Sequence, residues 1–452
     1  MDKTLSTFTE TLAGQIHGRV ITAKDTADYE KSRQVLFSHN AHPAVIVECT
    51  DEADVAATID FAAKHDLKLS VRSGGHSGLG VSTNDDGVIV DLSRIKDVEI
   101  IDEANHIVRI GAGAHWGDVA EQLAPHKLAI SSGDTTSVGV SGLTLGGGVG
   151  WMVREHGLAI DNVVAMEMVD AEGKTVRATA DENQDLFWAL RGGGGNFGVV
   201  TAIEFRAHQN DGVFGGTITY GADKREEILK NWATYMRTAT PELNSTVMFF
   251  PGFGPGQTPQ LMILVCYAGS DDAKAQAAIQ PLRELGDTVV SDDVKAKPYH
   301  EMLEGVMAPD MVIRVRNGFA ESLTDELSKT ISDHFGTPGT PFLMIRAVGG
   351  AMNEVPADAT AFAHRDAEAF LIMPAFSPAG STDEAANEYA DKLWAPLKPF
   401  LHGTYVNFLT DASKESIELA YPPETLARLR KIKAEYDPAN IFHRNVNITP
   451  ES

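Results

Sequence analysis

Along the first half of the chain, short apolar runs alternate with amphipathic ones. "PAVIVECT" has the length and composition of a strand. "DEADVAATIDFAAKHDL" follows it, with Val55, Ile59 and Ala62 on one helical face and acidic residues in the first turn. "KLSVR" is strand-like again, so a β-α-β unit is predicted whose second strand runs into the glycine-rich stretch "VRSGGHSGLG". "GVIVDLS", "VEIID" and "HIVRIGAG" predict further strands, and "WGDVAEQLAPH" a short helix. "AMEMVDAEGKTVRAT" predicts a hairpin turning at Glu172 and Gly173. "DLFWALRGGGGNFGVVTAIEFRA" predicts a short helix, a glycine loop and a strand.

The pattern changes near 208–214. "FGGTITYG", "STVMFFPGF", "QLMILVCYAG", "PFLMIRAVGG" and "EAFLIMPAF" read as strands separated by helices such as "DDAKAQAAIQPLREL". Strands and helices in blocks predict an antiparallel sheet covered on one side. "TYVNFLTD" reads as one more strand, which puts Tyr405 and Asn407 on one face. "YDPANIFHRNVNITP" joins a proline turn to several amide side chains and reads as a segment returning to contact a ligand. The expected fold class is α+β, divided into residues 1–208, 209–395 and a returning segment 396–452.

Composition narrows the partners. With 43% apolar and 22% charged residues the chain is an ordinary globular protein, and 452 residues bury a core without staples. Cys49 and Cys266 sit in apolar runs and read as buried thiols, not a disulfide framework. A net charge of −25 repels phosphate backbones and excludes nucleic acid as a partner. "MDKTLSTFTETLAGQ" lacks an apolar signal core and no run reaches membrane-spanning length, so a cytoplasmic monomer or homodimer without a membrane partner is expected.

Glycine clusters at 74–80, 111–117, 139–150 and 192–198 point to backbone nests around an extended phosphate-bearing ligand such as a dinucleotide. The usual fingerprint fails. Gly193–Gly198 matches G-x-G-x-x-G but runs into a strand rather than opening a helix, and "ECTDEADV", the first strand-to-helix connection, has no glycine. No glycine loop carries the Lys-Ser/Thr of a P-loop, and "GHSGLG" and "GVSGLT" miss the nucleophile elbow by one glycine. The 15 histidines contain no H-x-x-x-H pair, so no metal site is expected. What remains is a non-Rossmann dinucleotide site holding His76, a competent nucleophile when neutral. The benzenoid methyl of a flavin is a suitable electrophile for it.

At this point the chain resembles the berberine-bridge-enzyme-like FAD-linked oxidases of the vanillyl-alcohol-oxidase superfamily. "VRSGGHSGLG" is similar to that family's covalent flavin loop, "SSGDTTSVGVSGLTLGGGVGWMVREHGLAIDNV" to its second flavin loop, "DLFWALRGGGGNFGVVT" to its third, and "YDPANIFHRNVNITP" to its tail. The resemblance implies a PCMH-type FAD-binding domain of two α/β subdomains, plus a substrate domain whose antiparallel sheet is covered by helices. It makes His76 the covalent anchor, with Arg72, Ser73, Gly74, Gly75 and Ser77 around it. Further flavin contacts are implied at Gly133, Asp134, Thr135, Val138, Gly139, Gly142, Gly146, Gly147, Gly148, Val200, Asn445 and Asn447. Thr135 stands where many members carry a second, cysteinyl tether, which implies FAD linked through His76 only, as in members of the hydroxynicotine oxidase type. Val138 falls at the family's oxygen-gate position. Counting nine residues from His364 puts Met373 at the family's base position, so no base is carried over there. Tyr405 and Asn407 are the catalytic candidates, and Trp151 and His156 the candidate lining of the substrate side.

The implied reaction takes a hydride from a C–H next to O or N of a small organic substrate to FAD. O2 then reoxidises the flavin and gives H2O2. Without a carboxylate base, an amine or a weakly activated alcohol is favoured. The alternatives are a dehydrogenase using a quinone or carrier, an oxidative cyclisation enzyme, and a flavin-binding protein without turnover.

Overall fold

The computed structural model describes residues 3–37, 40–252, 256–305 and 311–451. Four strands open it: β1 (Arg19–Ile21), β2 (Val45–Glu48), β3 (Leu69–Arg72) and β4 (Val88–Asp91). They form a sheet in the order β1-β2-β4-β3, and β4 runs parallel to both of its neighbours. The crossover from β2 to β3 is the helix Glu52–Lys64. Asp51 caps it by accepting from Asp54 N at 2.9 Å, and it buries Val55, Ile59 and Ala62 against the sheet.

The next strands are β5 (Val98–Asp102), β6 (Ile107–Gly111), β7 (Leu128–Ala129), β8 (Val163–Val169), β9 (Thr175–Thr179), β10 (Val199–Arg206) and β11 (His208–Gln209). Five of them make a second sheet, β5-β6-β10-β8-β9, while β7 and β11 pair with each other. The predicted hairpin is β8–β9, turning through Gly173 at φ +79°.

The remaining strands are β12 (Val213–Gly221), β13 (Leu243–Phe250), β14 (Gln260–Ala268), β15 (Val289–Asp292), β16 (Lys295–Lys297), β17 (Met311–Ala320), β18 (Leu343–Ala347) and β19 (Ala369–Pro378). They form one antiparallel sheet, β15-β12-β14-β13-β18-β19-β17, with β16 pairing beside β15 on β12. Alternation gives this sheet two faces. Leu243, Val247, Phe249, Ile345, Leu371 and Met373 pack outward under helices that include Arg225–Met236 and Asp383–Trp394. Met248, Met262, Leu264 and Cys266 pack inward against the core of the first half. Phe319, Phe370 and Ile372 pack inward around Tyr405 and Val149.

The sequence reading missed β17. Its Arg314 and Arg316 break the apolar run, yet both turn outward and pair with Asp383 and Asp391 of the covering helix. "TYVNF" is not a strand. Residues Val406–Phe408 form a 3-10 turn, because Asn317 Oδ1 accepts from Tyr405 N at 2.7 Å and takes the place of a ladder partner. Cys49 and Cys266 are free and buried, and burial pushes both thiols above their ordinary range.

Candidate active site

β3 delivers the histidine loop. At its end the buried Arg72 pairs with Asp91 of β4 at 2.5 Å, and Ser73 Oγ donates to Ala112 O at 2.8 Å. Gly74 comes next in the loop. A Cβ there would lie 2.3 Å from Gly139 N, so this glycine exists for backbone-to-backbone contact with the second loop. Gly75, at φ +71°, then turns the chain so that His76 is half-buried with Nε2 3.0 Å from Ser137 Oγ. Burial, aided by the nearby His115, pulls the His76 imidazole down to about 4, so it is neutral at physiological pH.

The second loop is tied to the large sheet. Asp134 pairs with Arg346 of β18, Thr136 N donates to Glu304 O at 2.9 Å, and Glu304 N donates to Asp134 O at 2.8 Å. Burial opposes ionisation of Asp134, but the Arg346 charge and hydrogen bond outweigh it and hold the carboxyl below the usual range. Thr135 Oγ1 donates to Asp134 Oδ1 at 3.1 Å. Val138 is half-buried beside Ser137, Ser77 follows His76 and is half-buried, and Gly133 sits against Leu143.

Gly146, Gly147 and Gly148 differ from expectation. Gly147 N donates to Thr144 O and Gly148 N to the Tyr405 hydroxyl at 2.8 Å, so these amides serve the protein rather than a phosphate. Their missing side chains make room for Asn407, Phe362, Tyr405 and Ala159. Asn407 Nδ2 also donates to Tyr405 Oη at 2.8 Å, so the pair expected on one strand face meets across a tight turn instead. Tyr405 is buried, and burial pushes its hydroxyl up to about 12 despite those donors.

The tail is locked by a fully buried pair, Lys433 and Asp437, 2.6 Å apart. Lys433 Nζ also donates to Asn196 O and Phe442 O, and Asn196 accepts from Ile448 N at 3.0 Å. Asn445 Nδ2 reaches Gly195 O at 3.0 Å. The side-chain carbonyl oxygens of Asn445 and Asn447 are buried with no partner among the described residues, and a Cβ on Gly142 or Gly195 would meet none of those residues within 4 Å. Orphaned acceptors and open glycines fit FAD, whose ring edge offers an N–H donor and whose phosphates accept from backbone N–H groups that approach closely. Val200 does not join them; it lies in the core on β10, in register with Met168.

Two more expectations change. Met373 faces outward in register with Arg316, and its neighbour Ile372, in register with Asn317, shares the inner face with Phe370. Met373 therefore lies on the side of the sheet away from Tyr405, since in a strand one residue reverses the side. Trp151 does reach the junction, with Nε1 donating to Met302 O and the Arg346 guanidinium 5.3 Å from its ring. His156 instead stacks on His208 at 3.6 Å. Arg346, Asn317 and the Lys433–Asp437 pair were not foreseen, although a lone arginine in "PFLMIRAVGG" and an i,i+4 pair before the tail were visible signals.

Residues 43–179 match the FAD binding domain family and residues 404–449 the "Berberine and berberine like" family. The chain belongs to the berberine-bridge-enzyme-like FAD-linked oxidoreductases and is an FAD-dependent oxidase. It is 33% identical to (R)-6-hydroxynicotine oxidase of Paenarthrobacter nicotinovorans over 91% of this chain and 92% of that one. It is 27% identical to xylooligosaccharide oxidase of Thermothelomyces thermophilus over 95% and 92% of the two chains. Among solved structures, 6-hydroxy-D-nicotine oxidase from Arthrobacter nicotinovorans superposes with a TM-score of 0.86 at 30% identity, covering 96% of this chain and 98% of that one. Chitooligosaccharide oxidase shares the fold, with a TM-score of 0.84 at 23% identity and coverage of 98% and 100%. Among the described residues no helix is long and apolar enough to cross a membrane.

Proposed function

We propose that FAD is held covalently through His76 alone, in residues 1–208 closed by the 396–452 tail, and that substrate binds against the inner face of the 209–395 sheet. The neutral His76 imidazole carries this reading, because only the uncharged ring has the lone pair that bond formation needs. Thr135, in the neighbouring loop, has no thiol to offer. When bound, the flavin accepts a hydride from a carbon beside nitrogen or oxygen and passes the electrons to O2, giving H2O2.

The chain's own residues position and shield. Asn445 and Asn447 offer their carbonyl oxygens to the ring edge, and Gly142 and Gly195 leave space for it. Asp134 and Arg346 hold the second loop against the sheet, with Val138 beside the histidine. Tyr405 stays protonated at neutral pH, so it orients substrate as a hydrogen-bond donor and does not act as a base. That favours an amine bound as the free base, as the name of the nicotine-oxidising relative suggests.

Acid precipitation of the purified protein tests the tether. Yellow colour stays with the pellet of the native protein and moves to the supernatant for His76→Ala. Colour released from the native protein contradicts the proposal.

A further inference from the structure

The inner face of the large sheet carries a row of side chains that stand next to one another across five strands. Met262 is in register with Met248, Met248 with Met344, Met344 with Ile372, and Ile372 with Asn317. The three methionines are only partly buried, so the row is a surface offered to something. Thioethers on unbranched stems suit flat, apolar and aromatic shapes.

The polar groups around this row are already engaged. Arg346, in the next row, is bonded at each of its three nitrogens, to Thr246 Oγ1, Val149 O and Asp134. Asn317 Oδ1 takes Tyr405 N and the Thr404 hydroxyl. Tyr405 Oη accepts from Gly148 N and Asn407 Nδ2, which leaves its own proton to give. The strands β13, β14, β17, β18 and β19 contain no Asp or Glu. Among the described residues the carboxylates near this face are Asp134, neutralised by Arg346, Glu304, exposed at the rim with Lys297 close to it, and Glu155, which lies within electrostatic reach of Cys266 and which burial pushes up to about 7.

We infer that this site selects small, uncharged ring compounds with an apolar body and one hydrogen-bond acceptor, and that it discriminates against both carbohydrates and cations. A sugar would bury several hydroxyls against thioethers and already bonded polar groups, with the Tyr405 hydroxyl proton to meet one of them. An ammonium would lose its hydration with no carboxylate to face it. A neutral amine meets neither penalty, and Tyr405 gives its proton to the acceptor atom. The inference rests on the oxidase reading above for its assay.

The test mixes FAD-loaded protein anaerobically with 2-phenylpyrrolidine, a fluorinated analogue of lower basicity, and xylobiose, and follows bleaching of flavin absorbance. Both amines are expected to bleach it, at rates that rise with pH along each amine's own ionisation, so the two inflections differ. Xylobiose is expected to be slower by about 100-fold or more. Met344→Glu places a carboxylate in the row, favours the bound ammonium over the reactive free base and moves the amine inflection to higher pH, while Met344→Gln leaves it in place. Fast bleaching by xylobiose, inflections that ignore amine basicity, or bleaching by none of the three overturns the inference. The oxidase reading is judged separately, by whether dithionite-reduced flavin regains its colour in air with release of peroxide.

Discussion

The two faces of the eight-stranded sheet use the same strands for opposite ends. The outer face is closed: Leu243, Val247, Phe249, Leu371 and Met373 are all fully buried beneath helices. On the inner face Met248, Met262 and Met344 stay partly exposed, and an arginine sits among them. One strand carries both faces, residue by residue, so its outward positions report on stability and its inward ones on chemistry. The strand is therefore the wrong unit for reading function here, and the side is the right one.

Substitutions can break this contrast. The largest stability loss is expected on the outer face: Phe249→Ala should cost about 3–5 kcal/mol, read from the denaturant midpoint, with the flavin spectrum unchanged in the folded fraction. Arg346→Met, at the junction, should cost about 1.5–3 kcal/mol by removing the charged partner of Asp134. Its pH signature has a defined sign. Asp134 has a lowered folded pKa, so its contribution is present above the unfolded carboxylate value and is lost as pH falls through the folded one. Arg346→Met should flatten that acid-side slope.

Tyr405→Phe sharpens the contrast from the other side. It strands the Gly148 and Asn407 donors and removes the hydroxyl proton, so flavin reduction should slow about 10–100-fold, equivalent to one or two hydrogen bonds. A drop in stability as large as that of Phe249→Ala would undo the division of labour. Met344→Leu should have the smallest effect, under about 1.5 kcal/mol in stability, while changing the KM for apolar substrates.

A second titration check involves histidines away from the flavin. His156 is pulled to about 3 and His208 and His364 to about 4, in each case mainly by burial. Between 6.5 and those values the unfolded chain binds more protons, so stability should fall as pH drops through that window. Urea midpoints at two pH values on either side of it measure this.

Much of the fold was readable because period-two and helical patterns report burial directly. The β2-helix-β3 unit, the hairpin and five strands of the large sheet, β12, β13, β14, β18 and β19, follow from apolar runs. β17 was hidden because its outward arginines look like solvent-facing charges until the acids of a helix distant in sequence are placed over them. At the site, the motifs offered His76, Tyr405 and Asn407 as candidates, and the contact between Tyr405 and Asn407 was readable only as a shared face. The reason for the glycines was not: Gly74 and Gly139 accommodate each other, and Gly146 accommodates Asn407, which are contacts between segments far apart in sequence. Met373 shows the same limit, since a count along the chain cannot see which side of a strand it ends on.

The single tether is the central claim, and mass spectrometry of a tryptic digest tests it most directly. Cleavage after Arg72 and Arg94 gives a peptide of residues 73–94 that holds His76, and cleavage after Lys127 and Arg154 gives residues 128–154, which hold Thr135. The flavin mass is expected on the first peptide, localised to the histidine, and absent from the second. An unmodified 73–94 peptide from yellow protein, or flavin on 128–154, contradicts it.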